Sequence, residues 1–139
     1  MKAKLIYVYI FFLLIEYVLR TFVELYKYHL DGLLFEFLPL VIASLITSIF
    51  YKKIIETEKF GSTCSKLVLI SVAGFLTAKS ILFFQWYWII APEYRNLPGD
   101  MDEGLAWNIF DFIVGSIVIA LSYLITILTI KTKQRTITT

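Results

Sequence analysis

The sequence predicts an all-α fold, a polytopic membrane protein built as an antiparallel bundle of four transmembrane helices. Three observations lead to it. Hydrophobic residues make up 59% of the 139 positions and charged residues only 17%, against roughly 45–50% and about 25% in soluble domains. Four long apolar segments recur along the chain, and lysines and arginines collect on one side of them. A compact soluble domain of this length cannot hide so much apolar surface. The composition therefore excludes a soluble enzyme, a disordered regulator and a secreted disulfide scaffold. A net charge of +2 and the lack of a basic patch interleaved with exposed aromatics exclude nucleic acid as a partner.

A bilayer core about 30 Å thick needs about 20 mostly apolar residues per helix. Residues 5–25, 33–51, 67–90 and 105–130 meet that requirement, so the whole chain, 1–139, reads as one membrane domain. The first segment follows Met1-Lys2-Ala3-Lys4 but carries Glu16, Arg20 and Glu24, and no A-x-A-like cleavage site follows it. It reads as a retained helix, not a signal peptide. The second contains Glu36 and Pro39, with Ala43 and Thr47 on the same stripe. The loop 51–66 is basic, and Gly61-Ser62-Thr63-Cys64-Ser65 reads as a break before the third span. In the loop 91–104, Pro92 and Pro98 oppose helix. Asp100, Asp102 and Glu103 favour the N-terminal dipole of the fourth span over a calcium loop, whose other ligands are missing.

Charge sets the orientation. Lys2, Lys4, Lys52, Lys53, Lys59, Lys66, Lys131, Lys133 and Arg135 fall on one side, and only Lys27 and Arg95 on the other. Both termini are expected in the cytoplasm, with the chain in a bacterial inner (plasma) membrane. Trp86, Trp88 and Trp107 then sit at the outer interface, where an indole anchors.

The informative residues are those a bilayer rejects. At 1.5 Å per residue, Glu16 and Lys79 fall near mid-depth, and Arg20, Glu24, Glu36, Gln85, Asn108 and Asp111 in the outer half. The inner half offers only hydroxyls such as Thr47, Ser71, Ser122 and Thr126. Glu16, Arg20 and Glu24 lie on one helical stripe, so Arg20 can pair with either acid. Asn108, Asp111, Gly115 and Ser122 form a second stripe. Gly74 and Ala78 permit close helix approach. A charge at mid-bilayer costs about 2.5–3.5 kcal/mol on insertion scales, so Lys79 needs a partner. Asp111 and Glu16 are the candidates by depth.

Two readings of this network stand side by side. In one, the charges fasten the bundle and set its register. In the other, they bind an ion, a polar ligand or a charge on a partner's membrane segment. Other chemistry is missing. His29 is the only histidine and Cys64 the only cysteine, so neither a zinc site nor a disulfide is expected. No nucleophile arrangement, phosphate-cradling loop or redox pair is legible, and no cofactor is implied. The run Phe83-Phe84-Gln85-Trp86-Tyr87-Trp88 reads as an interfacial belt before it reads as a quinone or lipid contact.

The expectation is a non-catalytic membrane subunit that binds a partner, senses, or confers immunity through a polar pocket in the outer half. Its partners are the bilayer and another membrane protein or copies of itself. The alternative is an ion- or proton-conducting channel or small transporter, oligomeric, with Glu16, Lys79 and Asp111 along the path.

Overall fold

The computed structural model describes residues 2–25, 33–85, 88–89 and 100–138. The side chains of Arg20, Glu24, Glu36, Trp86 and Trp107 lie outside the described set, as do the calls on Lys27, His29, Pro92, Glu93 and Arg95. Among the described residues the fold is all-helical, without strands. Its elements are α1 (Lys2–Leu25), α2 (Leu33–Phe50), α3 (Lys52–Thr57), α4 (Phe60–Gln85) and α5 (Asp100–Thr138). Two stretches, Phe60–Gln85 and Asn108–Ile137, are long and apolar enough to cross a membrane. The 26 residues of α4 measure roughly 39 Å at 1.5 Å per residue.

Side-chain pairs give the helix directions. Tyr9 meets Thr77 and Tyr17 meets Gln85, a constant offset that runs α1 parallel to α4. Lys79 meets Asp111 while Ser71 meets Tyr123, so α4 and α5 are antiparallel. Tyr51 donates to the carbonyl of Lys4, which joins the end of α2 to the start of α1. Each of α1 and α5 packs against both α2 and α4, closing a ring of neighbours. Phe12 and Tyr123 cross its centre, with ring centroids 6.3 Å apart.

Two glycines set the spacing. A Cβ on Gly74 would lie 2.5 Å from the Tyr9 carbonyl oxygen, so α4 touches the backbone of α1 there. A Cβ on Gly115 would lie 2.5 Å from the Phe75 ring and 3.2 Å from Leu40 Cδ1. The Phe75 ring stacks on Phe112 at 5.9 Å. The glycines therefore admit backbone in one case and an aromatic ring in the other.

Several boundaries differ from the sequence reading. The expected break at 61–65 is helical, because α4 begins at Phe60. Ser65 Oγ donates to the Gly61 carbonyl at 2.7 Å and Thr63 Oγ1 to the Lys59 carbonyl at 3.1 Å, so the hydroxyls bond within the helix instead of competing with it. The basic loop 51–66 also contains α3, whose Ile55 is fully buried. At the other end of the third span, α4 is described as far as Gln85, and residues 86, 87 and 90 lie outside the described residues. The fourth helix starts at Asp100 and runs to Thr138, well beyond 105–130 at both ends. The acidic run 100–103 thus forms the opening turn of α5 and does not precede it.

Candidate functional site

Polarity is distributed inside out. Glu16, Ser44, Thr47, Ser48, Thr63, Ser71 and Lys79 are buried, while every long helix exposes large apolar side chains. On α1 these are Ile6, Ile10, Leu14 and Val18, one stripe at helical spacing; on α5, Ile113, Ile117, Leu121 and Leu128 continue the pattern. A helix in water does the opposite. No buried side-chain nitrogen or oxygen among the described residues lacks a hydrogen-bond partner.

The buried polar groups form two layers. In the charged layer, Lys79 Nζ donates to Asp111 Oδ2 at 3.1 Å, with the lysine side chain 8% and the carboxylate 21% exposed. The ammonium also lies 5.8 Å from the Phe75 ring centroid, a cation–π contact available because Gly115 leaves room for that ring. Glu16 is buried at 2% exposure. The structure thus joins Lys79 to Asp111, one of the two partners that depth allows. Gln85 meets Tyr17 of α1, with its Oε1 at 3.2 Å and Nε2 at 3.1 Å from the phenol oxygen. Asn108 is half-buried on the opening turns of α5.

The hydroxyl layer lies nearer the end where α1 starts and α5 finishes. Tyr123 is fully buried and its hydroxyl meets Ser71 Oγ at 2.8 Å; Thr47 lies against the same group. Ser44, Thr47 and Ser48 donate back to carbonyls four residues earlier at 2.7–2.8 Å, so their donors are satisfied within α2. Here the sequence reading needs correction. The stripe through Asn108, Asp111 and Gly115 continues through the buried Ile119, Tyr123 and Ile127, and not through Ser122, which is half-buried and donates to Val118. Tyr123 was detectable: it is Gly115 plus two helical repeats of four. Tyrosine, however, is also the ordinary residue of a membrane interface, which masks that signal.

The basic end is braced separately. Glu58 receives Lys66 at 3.6 Å and Thr63 Oγ1 at 3.4 Å, while Lys131 donates to its carbonyl at 2.7 Å. This ties α5 to the α3–α4 corner. A cavity of about 440 Å³ opens nearby between α1, α2 and α3. It is thus at the end opposite to the expected polar pocket, and its walls are mainly apolar and aromatic.

No family model, curated protein or solved structure matches this chain. Among the described residues, no cluster of three or more His, Cys, Asp or Glu side chains is placed to hold a metal ion. Cys64, in the first turns of α4, is half-buried and free. The described polar groups are ones that hold helices together or meet a complementary charge.

Proposed function

We propose that the chain is an antiparallel four-span membrane protein, N- and C-termini cytoplasmic, in a bacterial inner membrane. In this reading it works without catalytic machinery, as a partner-binding, sensing or immunity-type subunit. One observation carries the bilayer assignment: Glu16, Lys79 and a set of hydroxyl side chains are inside while leucine and isoleucine are exposed on the outside of all four long helices. Lipid rewards that arrangement and water penalises it. At 39 residues, α5 is longer than a bilayer core requires, so its last turns, with Lys133 and Arg135 exposed, extend into the basic interface.

The partner-binding role is supported by where the charges sit. Asp111 remains partly exposed beside a nearly buried Lys79, and the acids at 100, 102 and 103 open the same helix. A membrane segment carrying a basic or polar group can meet that face of the bundle between α4 and α5. Recognition by such a face needs no movable nucleophile and no cofactor. The partner is another membrane protein or a second copy of the chain.

Two experiments test this. For topology, an impermeant thiol reagent added outside intact cells should label Asp100→Cys and miss Cys64; labelling of Cys64 overturns the orientation. For function, crosslinking in native membranes followed by mass spectrometry should recover a membrane-protein partner through the outer ends of α4 and α5. Selective ion flux in proteoliposomes that disappears in Glu16→Gln would overturn the binding role and establish conduction through Glu16, Lys79 and Asp111.

A further inference from the structure

The cavity at the basic end lies outside the charged layer that fastens the helices. It lies between the first turns of α1, the end of α2 and the short helix α3. Its floor is pinned by the Tyr51 hydroxyl, which donates to the Lys4 carbonyl. Val8, Phe11 and Ile54 form apolar walls, and the strongly exposed Tyr7 and Phe50 stand at the mouth. Its volume, about 440 Å³, falls within the roughly 300–1,000 Å³ of small-molecule sites.

Charge decides what fits. Lys4 and Lys53 both line the cavity, and among the described residues no acidic side chain does. The nearby acids are engaged elsewhere: Glu56 faces Lys52 at 3.8 Å and Glu58 faces Lys66 at 3.6 Å. Among the described residues neither Lys4 nor Lys53 has an ion-pair partner. Two uncompensated ammonium groups above an aromatic and aliphatic cleft complement a molecule with an anionic head and an apolar body. We propose that this cleft binds one anionic phospholipid of the cytoplasmic leaflet, its phosphate between Lys4 and Lys53 and an acyl chain along Val8, Phe11 and Ile54. The inference rests on the bilayer reading above and adds to it a ligand class. Basic pockets between helices on the cytoplasmic side suit such head groups, and the short helix α3 is what turns the loop lysine Lys53 toward α1. The site also gives α3 a purpose beyond connection, since the bound head group would bridge α1 and α3.

The test uses the purified chain of residues 1–139. Flotation with phosphatidylcholine vesicles comes first: a chain that stays in the aqueous phase overturns the bilayer reading and this site with it. Native mass spectrometry then measures retention of phosphatidylglycerol against phosphatidylcholine of the same chain length. Wild type should retain the anionic lipid preferentially. Lys4→Gln and Lys53→Gln should each lower that preference about fivefold, the effect of one lysine near an anionic lipid, while the exposed Lys133→Gln leaves it unchanged. Inorganic phosphate alone should not displace the lipid, because it cannot fill the apolar walls. A chain that floats but shows no preference, or loses it equally in Lys133→Gln, overturns the site while the bilayer reading stands. Displacement by free phosphate overturns the lipid as the occupant.

Discussion

The charged layer and the hydroxyl layer solve one problem by different means. Both bury polar groups among apolar helices, yet Lys79 and Asp111 depend on each other across α4 and α5, whereas Ser44 and Ser48 are satisfied within α2. An ion pair held between helices specifies which helices meet and at what register. A hydroxyl bonded to its own helix specifies nothing beyond that helix; it lets a small polar residue sit in a tight interface at little cost. Tyr123 stands between the two cases, since its hydroxyl bonds Ser71 across the α4–α5 interface but carries no charge. The expected consequences of substitution therefore fall in order: charge pair, close backbone contact, cross-helix hydroxyl, local hydroxyl.

The largest effect should come from Lys79→Met. It strands Asp111 in a partly buried site and should cost about 3–5 kcal/mol, while Lys79→Met with Asp111→Leu should cost much less. Unfolding in mixed micelles measures both. A double variant as poor as the two singles combined would break the comparison, because the pair would then not be coupled. Next is Gly74→Ala. Its methyl group would lie 2.5 Å from the Tyr9 carbonyl oxygen, forcing α1 away from α4 at a cost of about 1–3 kcal/mol. Thermal denaturation in detergent reads that loss, and an unchanged midpoint would mean that the two helices are not held at this spacing.

Tyr123→Phe should be milder. It keeps the buried ring against Phe12 and removes the hydroxyl that bonds Ser71 and lies against Thr47, so the loss should be about 0.6 kcal/mol for each interhelical bond removed, the average in a bilayer. A loss on the scale of the charge pair would show that the hydroxyl layer is a cooperative network. Smallest is Ser48→Ala. Its hydroxyl donates only to the Ser44 carbonyl at 2.8 Å, and its removal should stay within about 0.5 kcal/mol. A larger change would place Ser48 among the groups that specify the interface.

Part of this molecule was readable before any fold was known, and the reason is chemical. Helical class and the positions of long apolar helices follow from residue type alone, because a backbone in an apolar environment must satisfy its own hydrogen bonds. Basic residues at one end follow from counting. Lys79 and Asp111 were identifiable as partners because so few charges occur at such depth and the helices on either side of the loop 91–104 are neighbours. Arg20, Glu24 and Glu36 were singled out by the same logic, and their side chains lie outside the described residues.

Other features depended on three-dimensional contact. When nearly every position of a helix is apolar, no amphipathic period marks its inner face, so sequence spacing did not decide between Ser122 and Tyr123 for the buried stripe of α5. Likewise Gly61-Ser62-Thr63-Cys64-Ser65 has the composition of a break, and became the first turns of α4 because its hydroxyls bond back to helix carbonyls and Glu58 receives Thr63 and Lys66. The cavity beside Lys4 and Lys53 joins residues nearly fifty positions apart and required α3, whose six residues carry too short a pattern to read. Residue chemistry alone determined that this chain forms apolar helices with a few costly charges. Tertiary packing decided which faces those helices turn inward, because in apolar helices the choice rests on the fit of individual small and polar side chains.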